Sequence, residues 1–218
     1  MADRSWKEEW LFACSALKRY RDAGMLFPSS ISIARGAVAL LPVERLRKIV
    51  EIGSGTGRLT RLIADRLNPG ARLYCVEKNP AFCDYLRENL GNGAVTVLNS
   101  PAEDLHRFHP EAFHPRADAV VLSLPSSMVP ESVRIAWIRT AHALLEDGGY
   151  LLVHQFIPIM GRYLDASQWS REGRRRWFMG VPPFSVDVHR KRPVVRVEER
   201  PPARPRDYRV DVWGQAGA

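Results

Sequence analysis

Long apolar runs are missing from this chain of 218 residues. No stretch approaches the roughly 20 residues that a helix needs to cross a bilayer, which excludes an integral helical membrane protein from the reading. Cysteine is scarce: Cys14, Cys75 and Cys83 are three, an odd number, and each falls inside a predicted element. Free thiols in a reducing compartment fit that pattern better than a disulfide framework does. Met1-Ala2-Asp3-Arg4 lacks the basic-then-apolar character of a signal peptide, so a cytoplasmic protein is expected. His106, His109 and His114 share a loop with Pro and Phe, but no cysteine or paired acid completes a metal-ligand set. No metal site is expected. Internal repeats and low-complexity tracts are also lacking. Acid is in deficit, with 24 Asp and Glu against 32 Lys and Arg, a net charge of +8. Such a balance favours polyanionic surroundings, either an anionic membrane surface or nucleic acid.

What is present centres on residues 49–64, IVEIGSGTGRLTRLIA. Ile49-Val50-Glu51-Ile52 reads as a buried strand. Gly53-Ser54-Gly55-Thr56-Gly57 forces a tight turn, and Leu59, Leu62 and Ile63 then recur at helical spacing. Glycines let a ligand approach the main chain closely, and the helix start offers free N–H groups. A phosphate-cradling loop ending in Gly-Lys-Ser/Thr is excluded, because Arg58-Leu59-Thr60 follows. The dinucleotide pattern G-x-G-x-x-G is excluded as well, because it needs glycine where Arg58 stands.

The remaining pattern, E-x-G-x-G-x-G at Glu51, Gly53, Gly55 and Gly57, resembles the first motif of class I S-adenosylmethionine-dependent methyltransferases. That resemblance implies a Rossmann-like α/β fold: a doubly wound, seven-stranded sheet with an N-terminal amphipathic helix. Glu51, Gly53, Ser54, Gly55, Thr56 and Gly57 would then lie around the methionine part of S-adenosylmethionine. Ala71 to Glu77 reads as a second strand ending in an acid about 20 residues past the glycines, where a carboxylate can accept from ribose hydroxyls. Glu77-Lys78-Asn79-Pro80 fits the family's acid-x-Asn-Pro pattern, so Lys78 and Asn79 join the expected cofactor contacts, and Pro80 starts a helix through Leu90. Ala94 to Asn99 is a third strand. Ser100-Pro101-Ala102-Glu103 follows, where relatives commonly carry an acid that here is Pro101. Ala102 and Glu103 are the expected adenine neighbours, or Glu103 simply begins a short helix.

Closer resemblance is to bacterial phospholipid N-methyltransferases and the related adenine dimethyltransferases of ribosomal RNA. Pro28-Ser29-Ser30 precedes the glycine motif, and either serine can N-cap the next helix. In the phospholipid enzymes such a segment lies over the cofactor, so Ser29 and Ser30 are expected there. Strand four, Ala117 to Leu122, exits through Ser123-Leu124-Pro125, like the phospholipid enzymes and without the Asn of the RNA enzymes. These three residues are expected to position the methyl acceptor. Glu131 to Leu145 is a predicted helix, followed by the Gly148-Gly149 turn and strand five over residues 151–156. His154 either faces the active cleft or, on the preferred reading, is a core histidine.

Two other segments bear on the substrate. Residues 3–22 form an amphipathic helix with Trp6, Trp10, Ala13, Leu17 and Tyr20 on one face. It either packs on the domain or touches a membrane. Ser167 to Phe178, with Arg171, Arg174, Arg175 and Arg176, is expected to be a basic surface helix, either solvated or in contact with phosphate. Residues 194–197 and 208–213 alternate at period two and are expected to be the last antiparallel strand pair. The resulting organisation is a helical cap over 1–45 and a cofactor domain over 46–218. The expected activity is N-methylation of an amine such as a phospholipid headgroup, peripheral to the inner membrane face. RNA or small-molecule methylation is the enzymatic alternative, and a non-catalytic membrane- or RNA-binding module is the other.

Overall fold

A computed structural model describes residues 29–91, 93–155, 158–177 and 184–193. The predicted helix over 3–22 and the strand pair over 194–213 lie outside them. Within them the expected doubly wound sheet is present. Its seven strands are β1 (Lys48–Ile52), β2 (Arg72–Glu77), β3 (Val95–Asn99), β4 (Ala117–Leu122), β5 (Leu145–Gln155), β6 (Trp169–Trp177) and β7 (Phe184–Lys191). They lie in the order β3-β2-β1-β4-β5-β7-β6. β1 to β5 are mutually parallel, and β7 runs antiparallel between β5 and β6. Strand order reverses between β1 and β4, which opens a crevice at their carboxyl ends.

Burial on both faces explains why β1 reads as a continuous apolar run, with all five residues inside. Alternate residues serve opposite layers. Ile49, Ala119 and Val121 pack with α1 (Ser29–Val38), α2 (Arg58–Ala64) and α3 (Pro80–Leu90), through Ala34, Ala37, Ile63 and Leu86. Val50, Val120 and Leu122 pack with α5 (Glu131–Leu144) through Trp137, Ile138 and Leu144, and with Leu105 of the short α4 (Leu105–Phe108). Residues 29–45 therefore share their core with the sheet. At the edge opposite the crevice, the Asp118 carboxylate accepts the N–H groups of Arg47 and Lys48 at 2.7 Å each, and the buried Lys48 ammonium donates to Ala112 and Pro115 carbonyls.

Three expectations are corrected. Ser167 to Phe178 is not a helix: Trp169–Trp177 is the edge strand β6, paired residue by residue with β7. Arginines crowd this segment and hide any apolar period, and charge on an edge strand is a common device against unwanted pairing. Its true partner, β7, is buried along most of its length although it carries Asp187, His189 and Lys191. Arg174 pairs with the buried Asp187, and the buried Lys191 ammonium donates to the His142 and Leu145 carbonyls. Strand five starts earlier than expected, at Leu145, and its register against β4 shifts between Ala117 and Ala119, which accommodates the Gly148-Gly149 turn. Finally, Ser29 and Ser30 already lie within α1 and do not precede it.

Candidate active site

The glycine turn joins β1 to α2 and is fastened to β2. The Gly53 N–H donates to the Val76 carbonyl at 2.8 Å, and the Gly57 N–H closes the turn onto the Ser54 carbonyl at 2.9 Å. All three glycines have positive φ: +85° at Gly53, +53° at Gly55 and +76° at Gly57. Their surroundings differ. A Cβ on Gly53 would sit 2.6 Å from Leu124 Cδ2 and from the Ser123 carbonyl oxygen. One on Gly57 would sit 2.5 Å from Leu86 Cδ2. Gly53 and Gly57 are thus required by packing against the β4 exit and α3. A Cβ on Gly55 would meet no atom within 4 Å. The middle of the turn therefore faces open space, as a seat for a ligand must.

Two carboxylates flank that turn. Glu77 ends β2, as expected, and bridges two backbones: Oε2 accepts from the Gly55 N–H and Oε1 from the Asn79 N–H, each at 2.9 Å. Asn79 in turn N-caps α3, its Oδ1 accepting from the Ala81 N–H at 3.0 Å, with Pro80 in the first turn. Asn99, which the sequence reading passed over, ties β3 to the same corner by donating to the carbonyls of Glu77 and Lys78 at 2.9 and 3.1 Å. Glu51 is fully buried beneath the turn. The buried Thr60 hydroxyl donates to its Oε2, while Oε1 has no partner among the described residues. Burial pushes its pKa up to about 7, against the opposing pull of the Thr60 and Ser54 hydrogen bonds. Thr60 was also missed; its only sequence signal is a polar residue on the buried side of α2.

At the third corner, Ala102–Asp104 is a turn of 3-10 helix behind Pro101. Ala102 is buried, and Glu103 Oε2 accepts from the Trp137 indole N–H at 3.0 Å, which fastens this loop to α5. The β4 exit forms the fourth. The Ser123 N–H continues the ladder to the Ile52 carbonyl at 2.9 Å, and Leu124 packs under Gly53. Pro125 is exposed on the following bend, where the Ser126 N–H donates to the Leu124 carbonyl at 2.8 Å. Arg134 of α5 braces this bend, donating to the Ser126 carbonyl at 2.9 Å. The Ser123 hydroxyl lies 3.2 Å from His154 Nδ1, a polar contact one residue past the last β4–β5 pair.

His154 thus lies inside the fold, as a core histidine does, and also meets Ser123. Its ring packs against Phe184 with centroids 4.3 Å apart, and its Nε2 is buried with no partner among the described residues. Burial pushes the imidazole pKa down to about 4, so the ring is neutral at pH 7. The structure brings the glycine turn, Glu77, Lys78, Asn79, Ala102, Glu103 and the Ser123-Leu124-Pro125 exit to one end of the sheet. The side chains of Ser29 and Ser30 lie outside the described ones. Among the described residues, no three His, Cys, Asp or Glu side chains converge as a metal site would require.

A strand order of this kind, with a glycine turn after β1 and an acid at the end of β2, is what the resemblance to S-adenosylmethionine-dependent methyltransferases implies. A family model described as a methyltransferase domain matches residues 50–151. The ornithine lipid N-methyltransferase of Singulisphaera acidiphila is 33% identical over 144 residues, covering 66% of this chain and 75% of that protein. In structure, an O-methyltransferase from Bacillus cereus in complex with SAH superposes with a TM-score of 0.63 at 18% identity, covering 88% of this chain and 93% of that one. TrmN from Thermus thermophilus gives a TM-score of 0.61 at 21% identity over 72% of this chain, which spans only 48% of that larger protein. The chain belongs to the class I S-adenosylmethionine-dependent methyltransferases. It is an enzyme of that kind, and its cofactor is S-adenosylmethionine.

Proposed function

We propose that this enzyme N-methylates the primary amine of a polar lipid headgroup at a membrane surface. The observation that carries the reading is the acceptor corner: a serine hydroxyl held by a neutral imidazole at the end of β4. Similarity to a lipid N-methyltransferase supports the choice of acceptor. The cofactor, when bound, supplies an electrophilic methyl group on a sulfonium. Gly55 offers the open face for its methionine part, with Gly53, Ser54, Thr56 and Gly57 shaping the turn and Glu51 buried beneath. Glu77 keeps lone pairs free for the ribose, Lys78 and Asn79 line the same corner, and Ala102 and Glu103 flank the adenine. Ser29 and Ser30 belong to the helix that would cover it.

The chain's remaining task is to present a nitrogen lone pair in line with the methyl group, near 3 Å away. An ammonium has no lone pair, so the amine must arrive neutral. Leu124 and Pro125 make the corner apolar, which disfavours the charged form of an amine and releases its proton to water. Ser123 Oγ then accepts one of the two remaining N–H bonds and fixes the lone pair's direction. His154 is the positioning residue that holds the hydroxyl. A cationic imidazole there would repel the methyl donor, and burial keeps it neutral.

Incubation with methyl-labelled cofactor and vesicles containing phosphatidylethanolamine or ornithine lipid tests the reading. Label entering lipid is the expected result. Label in RNA only, or in neither lipid while cofactor binding is intact, overturns it. Within the same assay, Ser123→Ala and His154→Phe are each expected to lower kcat about 10-fold or more. The double variant should be little worse than either, since the two act as one unit. Cofactor affinity should stay within about twofold, because neither side chain belongs to the cofactor corner.

A further inference from the structure

Away from the glycine turn, a groove of about 680 Å³ runs between α1 and the end of β6. Its floor is apolar, made by Ile31, Gly36, Ala39 and the Trp177 ring, and two guanidinium groups, those of Arg35 and Arg175, stand on its rim. Ile31 is 47% exposed, unusual for a large apolar side chain with core residues one turn away. Gly36 makes the close approach possible: a Cβ there would lie 2.5 Å from Trp177 Cζ2 and 3.4 Å from Arg175 Nη1. Arg175 also lies over the Trp177 ring, 5.9 Å from its centroid. Among the described residues neither Arg35 nor Arg175 has a carboxylate within ion-pair distance, whereas the neighbouring Arg174 is taken up by Asp187. A chain of side-chain contacts also leads from the Trp177 ring of the groove to the acceptor corner. Trp177 meets Phe184 at a centroid distance of 6.3 Å, Phe184 meets His154 at 4.3 Å, and His154 holds Ser123.

We propose that this groove seats the lipid substrate: the acidic group of a zwitterionic aminolipid lies between Arg35 and Arg175, and the first methylenes of its acyl part lie on Ile31 and Trp177. Charge decides the occupant. A paired guanidinium rim prefers phosphate or carboxylate, and an exposed apolar floor beside it prefers a chain to water. A wholly water-soluble amine would leave Ile31 and Trp177 wet, and a neutral lipid would leave both guanidiniums without a partner. The inference rests on the lipid-amine reading of the active site but is tested apart from it.

The experiment compares the parent with Arg35→Ala/Arg175→Ala, with the conservative Arg35→Lys/Arg175→Lys, and with Arg61→Ala/Arg139→Ala. The last removes the same charge from exposed positions elsewhere. Each is sedimented with phosphatidylcholine vesicles carrying phosphatidylethanolamine or ornithine lipid, and each is assayed for methyl transfer. The alanine pair is expected to bind vesicles about 10-fold more weakly and to raise KM by a similar factor, while kcat and cofactor affinity hold. The lysine pair should recover most of the loss, and the Arg61/Arg139 pair should show none. The two lipids separate a phosphate from a carboxylate as the group held. Equal losses in the control pair, or an alanine pair that matches the parent, overturn the groove and leave the lipid-amine reading standing. A parent that sediments through Arg35 and Arg175 but transfers no methyl group to either lipid supports the groove and overturns that reading instead.

Discussion

Glu77→Ala is expected to weaken S-adenosylmethionine binding by about 100-fold or more, the equivalent of roughly 3 kcal/mol. The carboxylate does two jobs at once. It accepts the Gly55 and Asn79 N–H groups, so it sets the distance between the glycine turn and the start of α3. In the proposed function its remaining lone pairs also accept from the ribose hydroxyls. A hydrogen bond to a charged group contributes about 1.5–3 kcal/mol, and two ribose hydroxyls lose such a partner. The fold should suffer less: two N–H groups at a half-open corner regain water, a cost of about 1–3 kcal/mol in unfolding free energy. Glu77→Gln should do little better, because its amide NH₂ would point at one of the two N–H donors. Titration calorimetry gives the affinity, and circular dichroism shows whether the variant is folded. A folded Glu77→Ala that binds cofactor like the parent would remove this carboxylate from the site.

Glu51→Gln is expected to change how stability depends on pH. Burial raises this carboxyl from its ordinary 4.5 to about 7, so the folded protein holds the proton more tightly than the unfolded chain does. The stabilisation is complete below about pH 4.5 and is lost as pH rises through 7. A shift of that size has a ceiling of about 3 kcal/mol. The glutamine keeps an acceptor for Thr60 and carries no charge, so its stability should be nearly flat across the window. The measurement is a pair of urea melts at pH 5 and pH 8. The parent should lose clearly more between the two than the variant; parallel losses would mean that Glu51 does not titrate there.

Much of the backbone of the proposed cofactor corner was legible because local chemistry dictates it. Three glycines in one turn, an acid at a strand end and Asn-Pro at a helix start each require a particular backbone, and the structure supplies each one. Elements that depend on distant partners were not legible. Arg171 to Arg176 have no apolar alternation, so nothing local marks β6 as a strand; its pairing with β7 does. Glu103 could be placed in a loop, but its bond to Trp137, 34 residues on, could not be foreseen. The contact of His154 with Ser123 could not be foreseen for the same reason: Ser123 lies 31 residues earlier, at the exit of the neighbouring strand.

The arginines of β6 carry one more consequence. Among the described residues this strand is the outer border of the sheet, and a border of backbone N–H and C=O groups invites a further strand from another molecule. Here a visiting copy presenting the same border would have to press rows of like-charged guanidinium groups together. Self-repulsion of that kind caps sheet growth, and it leaves the same border attractive to surfaces of opposite sign.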